Sequence, residues 1–349
     1  MKPVTIAIDG RPIGDGHPPY VICELSANHN GSLDRMLELI DAAAATGCDA
    51  IKVQTYRADT MTLDCGRPEF RITGGLWDGR TLYELYAEGS TPYEWHAALF
   101  ERARKHGVTL FSSPFDASAV ALLADLGAPA YKIASFELTD LGLIETVARQ
   151  GKPMIMSTGL ANLAEIDEAV RTARAAGCEE IVLLHCVSSY PAPAADSNLR
   201  TIPALRQTFG LPVGLSDHTH GHAVAVASVA LGASVIEKHF TLARADGGLD
   251  SAFSLEPDEF AALCRAARQA WEALGTVSFD LIGQERSNVM FRRSIFAVRD
   301  IAEGEPLSHE NVRVIRPGHG LAPKYLNLVL GRRARRRILR GEPIQWDLI

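Results

Sequence analysis

The chain has 349 residues and a net charge of −7, with 47% hydrophobic and 22% charged residues. That composition belongs to an ordinary globular protein and excludes a disordered chain or a collagen-like repeat. No apolar run reaches the roughly 18 residues of a membrane span and no N-terminal signal is visible, so a cytoplasmic protein without a membrane partner is expected.

The first element is a hairpin over Val4–Asp9, turning near Gly10 and Gly14–Gly16. Apolar strand-like runs follow at Tyr20–Leu25, Ala50–Gln54, Thr109–Ser113, Ala130–Ile133, Pro153–Ser157, Glu180–Leu184, Pro212–Leu215 and Ser234–Lys238. Amphipathic helical stretches alternate with them, including Leu33–Thr46, Thr91–His106, Ala117–Leu126, Leu163–Ala176 and His222–Leu231. Several end at glycine, as at Gly47, Gly107 and Gly177, which suits a C-terminal cap. Eight strand–helix units in this length predict an α/β fold, a (β/α)8 TIM barrel. A doubly wound sheet is the alternative, but no Gly-rich nucleotide turn follows the first strand. The insertion Thr55–Ser90 carries Gly74-Gly-Leu-Trp-Asp78 and Leu82-Tyr-Glu-Leu-Tyr86; its aromatics argue for an ordered, functional loop.

Helix Pro257–Leu274 closes the barrel domain, residues 1–275, and a polar linker spans 276–290. From Phe291 the rhythm changes to short strands and turns, giving a small β-rich domain at 291–349. That domain holds 12 Lys/Arg against 6 Asp/Glu, opposite in sign to the whole chain. Its arginine run, Arg332 to Arg340, lacks the interleaved aromatics of a nucleic-acid site. A solvated face or a positive lid over an anionic substrate is expected instead, and no nucleic-acid partner. The six cysteines form no CxxC pair and are read as small buried residues in a reducing compartment.

In a TIM barrel the chemistry sits at the C-terminal ends of the strands. There this chain places Glu24, Lys52, Gln54, Ser112, Ser113, Lys132, Ser135, Glu137, Ser157, Ser188, Tyr190, Ser216, His218, Glu237 and His239. Lys52 shares a strand parity with Gln54, Ser216 with His218, and Glu237 with His239, so each pair faces one side. Two histidines on consecutive strands are a plausible seat for a divalent metal. Lysines and serines suit a phosphorylated anion, and Glu24 suits an acid, base or water-orienting role. No GxSxG elbow or Ser-His-Asp order supports a hydrolase.

These residues resemble the sialic acid synthase family, which condenses phosphoenolpyruvate with an N-acetylated sugar. The resemblance runs through Asn28-His-Asn-Gly31, Ile51-Lys-Val-Gln-Thr55, Tyr131-Lys-Ile-Ala-Ser135, Ser157-Thr-Gly159, Gly214-Leu-Ser-Asp-His218 and Glu237-Lys-His-Phe240. The final residues, with Arg316-Pro-Gly-His-Gly320, are similar to its C-terminal antifreeze-like (SAF, β-clip) domain. The insertion motifs and Thr91-Pro-Tyr-Glu-Trp-His96 look most like the pseudaminic acid synthase branch, whose sugar is 2,4-diacetamido-2,4,6-trideoxy-β-L-altropyranose. The neuraminic and legionaminic branches are alternatives, and a non-catalytic sugar-binding barrel is a distant one.

The resemblance implies that His218 and His239 hold Mn²⁺, or Mg²⁺ or Co²⁺, as a Lewis acid on the sugar aldehyde. It implies that Glu24 orients or deprotonates a water. Lys52, Ser113, Lys132, Ser135, Ser157, Ser188 and Ser216 would bind phosphoenolpyruvate. Gln54, Glu137, Tyr190 and Asp250 would contact the sugar, joined by Arg316 of the other subunit in a domain-swapped homodimer. One departure is Ser188 in Cys186-Val-Ser-Ser-Tyr-Pro191, where the neuraminate branch has asparagine. Its shorter side chain reaches less far.

Overall fold

A computed structural model describes residues 4–349. It divides into one unit running to Gly275 and a second, Thr276–Ile349. The first unit opens on an antiparallel hairpin, β1 (Thr5–Ile8) and β2 (Arg11–Gly14). Asp9 and Gly10 turn it with φ of 49° and 78°, the positive pair that a tight hairpin needs.

Eight parallel strands then close a barrel: β3 (Tyr20–Glu24), β4 (Ala50–Thr55), β5 (Thr109–Pro114), β6 (Tyr131–Ile133), β7 (Met154–Ser157), β8 (Ile181–Cys186), β9 (Val213–Asp217) and β10 (Val235–His239). β10 pairs with β3 to complete the ring. The expected strands therefore all form, with ends moved by at most two residues. Helices Leu141–Ala148 and Thr201–Phe209 complete the alternation. Ser32, Asp116 and Asn162 cap their helices by accepting backbone N–H bonds, so the chain turns from strand to helix at defined points.

Two packing layers position the site. Outward strand residues such as Cys23, Ile51, Val53, Ile133, Met156 and Leu183 meet the helices in the main core. Inward residues at the strand starts, Tyr20, Ile22, Phe111, Ile155 and Val182, pack with Ile6, Ile8 and Ile13 of the hairpin. The hairpin thus plugs the N-terminal end of the barrel. Gly214 is required on this inner face: a Cβ there would sit 2.3 Å from the Val235 carbonyl oxygen.

The insertion after β4 carries local structure of its own. It holds helix Leu82–Gly89, whose Thr81 and Glu84 form a reciprocal cap.

In the second unit only β11 (Ser294–Ala297) and β12 (Val312–Ile315) are regular strands, paired antiparallel. Isolated bridges such as Ile301–Ile338 and Pro306–Arg333 tie its turns together. Ile295, Ile301, Leu307, Val312, Ile338 and Ile344 form its core. Within the arginine run, Arg336 pairs with Glu342 and Arg337 with Asp300, as on a solvated face. Among the described residues no helix is long and apolar enough to cross a membrane.

Candidate active site

Along most of the barrel strands the inward face changes from apolar to polar toward the C-terminal end. Tyr20 and Ile22 give way to Glu24, Ala50 to Lys52 and Gln54, Phe111 to Ser113, and Val235 to Glu237 and His239. The strand period of two carries that sequence switch into one polar basin. Above it opens a cavity of about 440 Å³.

The basin centres on Glu237. Its Oε1 lies 3.4 Å from both Lys52 Nζ and Lys132 Nζ and accepts from Ser216 Oγ at 3.1 Å. Burial alone would raise this carboxyl, but Lys132 and Lys52 hold it low. Lys52 Nζ also approaches Glu24 Oε2 at 2.7 Å and donates to Ser113 Oγ at 3.3 Å. Burial pushes Glu24 up while Lys52 opposes it. Lys132 is pushed down, chiefly by burial. Two buried ammonium groups therefore converge while sharing carboxylates. Ser157 Oγ and Glu237 Oε2 are buried without a hydrogen-bond partner, a sign that a ligand completes the site.

The two imidazoles face each other with centroids 5.3 Å apart. His218 Nδ1 lies 2.9 Å from the Val187 carbonyl. With Nδ1 donating there, Nε2 keeps its lone pair, the arrangement of a metal-ligating histidine. Burial opposes a charge on His218, but Cys186 and the Val187 carbonyl raise its pKa. His239 is held far below the usual range by burial and then by His218, so it is neutral and ligand-ready. Its Nδ1 is buried with no partner. Among the described residues no set of three His, Cys, Asp or Glu side chains gathers as a metal site. The pair fits a cation that takes its remaining ligands from water and substrate.

Toward the cavity mouth Gln54 Nε2 donates to Glu24 Oε1 at 3.1 Å and to Ser26 Oγ at 3.2 Å, and Ser26 bonds Asp250. Tyr190 packs against His218 at a tilt, with centroids 4.4 Å apart. The insertion contributes Ile72, Trp77, Leu82, Leu85 and Tyr86 as an apolar wall.

The NeuB family profile matches residues 39–278, and the SAF domain profile matches residues 292–349. The chain belongs to the NeuB family. It is 45% identical to the pseudaminic acid synthase of Campylobacter jejuni, over 93% of this chain and 95% of that protein. It is 42% identical to the pseudaminic acid synthase of Helicobacter pylori, over 95% and 97%. Among solved structures it is similar to the N-acetylneuraminic acid synthetase of Leptospira borgpetersenii: TM-score 0.74, 31% identity, covering 82% of this chain and 95% of that one.

In this NeuB-family chain Lys52, Gln54, Lys132, Ser135, Glu137, Ser157, Ser188, Tyr190, Ser216, His218, His239 and Asp250 all line the one cavity. Three expected residues stand elsewhere. Glu24 is fully buried behind Lys52 and Gln54, and Ser113 lies under Lys52. Arg316 follows β12 in the second unit. The Asn28-His-Asn-Gly31 motif is scaffold: Asn28 Nδ2 donates to the Phe240 carbonyl at 2.8 Å, and His29 accepts from Gly31 N–H at 3.0 Å. Sequence reasoning turned Glu237 to the same face as His239 but gave it no role. It left out Ser26, and Cys186, which was read as packing only yet lines the cavity.

Glu137 gives a prediction. Burial pushes its carboxyl up to about 7, and its Oε2 has no partner. The folded state thus binds the proton more tightly than the unfolded chain, whose carboxyl titrates near ~4.3. Its stability contribution is full below that unfolded value and is lost as pH rises through 7. Glu137→Gln therefore matches the wild type in Tm at pH 4, below the unfolded value. At pH 8.5 it gains about 3–4 kcal/mol, a rise of several degrees by calorimetry. An equal or lower Tm at pH 8.5 contradicts this reading.

Proposed function

We propose that this chain condenses phosphoenolpyruvate with 2,4-diacetamido-2,4,6-trideoxy-β-L-altropyranose and water to give pseudaminic acid and phosphate. The observation that carries the reading is the convergence of Lys52 and Lys132 on Glu237 beside the His218–His239 pair, in one buried basin. An incoming phosphate and carboxylate supply the negative charge for which both lysines are poised. Ser135, Ser157, Ser188 and Ser216 stand around them as hydroxyl donors. Ser113 acts from below by holding Lys52.

His218 and His239 would hold the divalent cation, Mn²⁺ in the first instance and Mg²⁺ or Co²⁺ otherwise. When bound, it supplies Lewis-acid polarisation of the open-chain sugar's aldehyde. Carbon 3 of the enolpyruvate then attacks the aldehyde carbon, and water adds at carbon 2. The resulting tetrahedral species expels phosphate with cleavage of the C–O bond. Glu24 fits the water-handling role once an anion draws on Lys52, because its Oε2 is then released from the ammonium while Oε1 keeps Gln54. Gln54, Glu137, Tyr190 and Asp250 face the sugar. Phosphoenolpyruvate carrying ¹⁸O in its bridging position should deliver the label to phosphate. Label retained in the nine-carbon product would refute C–O cleavage.

The apolar wall supports the choice of sugar. Ile72, Leu82 and Leu85 offer no hydrogen-bonding side chain, which suits methyl and acetyl groups better than free hydroxyls. Leu85→Asn should cut the preference for the trideoxy sugar over N-acetylmannosamine about tenfold, read as a kcat/KM ratio. An unchanged ratio would remove the wall from sugar selection.

No arginine lines the cavity among the described residues. We propose that Arg316 of a second copy reaches the sugar, in a domain-swapped homodimer. Mixing an Arg316→Ala protein with a His218→Ala/His239→Ala protein should then restore activity that neither has alone. Failure of exchanged subunits to recover activity counts against the swap. Phosphoenolpyruvate as substrate and six free cysteines suit a cytoplasmic setting.

A further inference from the structure

Behind the two histidines, on the outer side of the barrel wall, Asp217 and Lys238 form an ion pair of 2.7 Å with side chains 1% and 0% exposed. They are register partners on β9 and β10. Strand alternation turns each away from the cavity while the next residue, His218 or His239, turns into it. Asp217 uses both oxygens, Oδ2 for the Lys238 ammonium and Oδ1 for the Thr219 N–H at 2.9 Å. Lys238 also donates to the Thr219 carbonyl. The peptide groups on both sides of Thr219, immediately after His218, are thereby tied to the strand that carries His239.

The histidines need such support unequally. His218 has its own tether, Nδ1 to the Val187 carbonyl. His239 has none through Nδ1, and its ring is steered by backbone and by Phe253, with centroids 4.9 Å apart. A buried ion pair adds little net stability over a well-packed apolar pair, so stability alone is a poor account of this one. We propose that Asp217 and Lys238 are positioning residues that set the spacing and aim of His218 and His239 for a divalent cation. This deepens, and rests on, the metal seat proposed above.

The test measures Mn²⁺ binding to the full chain by electron paramagnetic resonance. Asp217→Asn/Lys238→Met removes both charges, so neither is left buried and unpaired. Its Mn²⁺ Kd should rise at least about tenfold, the scale of lost support behind a metal ligand. Phosphoenolpyruvate affinity should stay within about threefold, because Lys52 and Lys132 are untouched, and excess Mn²⁺ should restore turnover. A lower Tm with wild-type Mn²⁺ affinity overturns the proposal and leaves the pair a structural one. If the double variant does not fold, Asp217→Asn decides: it keeps the shape, and a Kd equal to wild type overturns the proposal. A His218→Ala/His239→Ala protein must lose the bound Mn²⁺. If it keeps the metal, the seat itself is wrong, and that failure is distinct from failure of the pair to position it.

Discussion

Replacing Lys132 with methionine should raise the KM for phosphoenolpyruvate by about two to three orders of magnitude. Lys132 is buried: its side chain is 2% exposed, and its ammonium lies 3.4 Å from Glu237. In that setting a charged hydrogen bond to an anion cannot be replaced by water. Losing one such partner costs about 3–4 kcal/mol, the lower part of the range for a broken buried pair, which is roughly a factor of 10² to 10³. Glu237 would then be left with Lys52 as its one ammonium, and the ligand's phosphate and carboxylate would compete with it for that charge. The companion change Glu237→Gln separates the two effects. It removes the buried carboxylate that Lys132→Met leaves behind, so the double variant should regain stability without regaining affinity. Calorimetric titration with phosphoenolpyruvate reads this directly. Wild-type affinity in Lys132→Met would remove Lys132 from the anion site.

The second large effect concerns the histidine pair. His218→Ala/His239→Ala should lower phosphate release at least about 10³-fold, since Lewis-acid stabilisation of a developing oxyanion is worth several kcal/mol. Phosphoenolpyruvate affinity should hardly change, because Lys52, Lys132 and Glu237 stand on other positions. Chelation of the wild type should reproduce the loss, and returned Mn²⁺ should reverse it. Turnover that survives both chelator and the double variant would remove the metal from the mechanism.

The barrel was legible because its signal is periodic. Eight apolar runs separated by amphipathic helices have few other solutions, and the strand ends moved by no more than two residues. Lys52, Gln54, Ser216, His218, Glu237 and His239 were legible as inward-facing through parity, since residues two apart on a strand share a face, while Lys132, Ser135, Ser157 and Ser188 rested on their place at the strand ends and on the family resemblance. What stayed hidden was what each side chain does once it faces inward. Glu24 and Glu237 look alike in sequence, yet one lies behind Lys52 and the other stands in the basin between two ammonium groups. That difference is set by depth along the strand, which a period of two does not encode. Cys186 read as packing because one thiol in an apolar run carries no positional signal. Asp217 and Lys238 were hidden because they point to the outer face, where apolar residues are the rule, and only the register brings them together. The second unit was legible as short β-structure, but its bridges join segments far apart in sequence, such as Ile301 with Ile338, and no local pattern announces them.

The proposed function turns on whether this cavity joins enolpyruvate to a diacetamido trideoxy sugar. The most direct measurement incubates the protein with phosphoenolpyruvate, Mn²⁺ and each of three sugars: the altrose derivative, N-acetylmannosamine and the legionaminic precursor. Mass spectrometry then follows the nine-carbon product alongside phosphate. One phosphate should appear per pseudaminic acid formed, with the altrose derivative turned over fastest. Turnover of N-acetylmannosamine but not of the altrose derivative would contradict it.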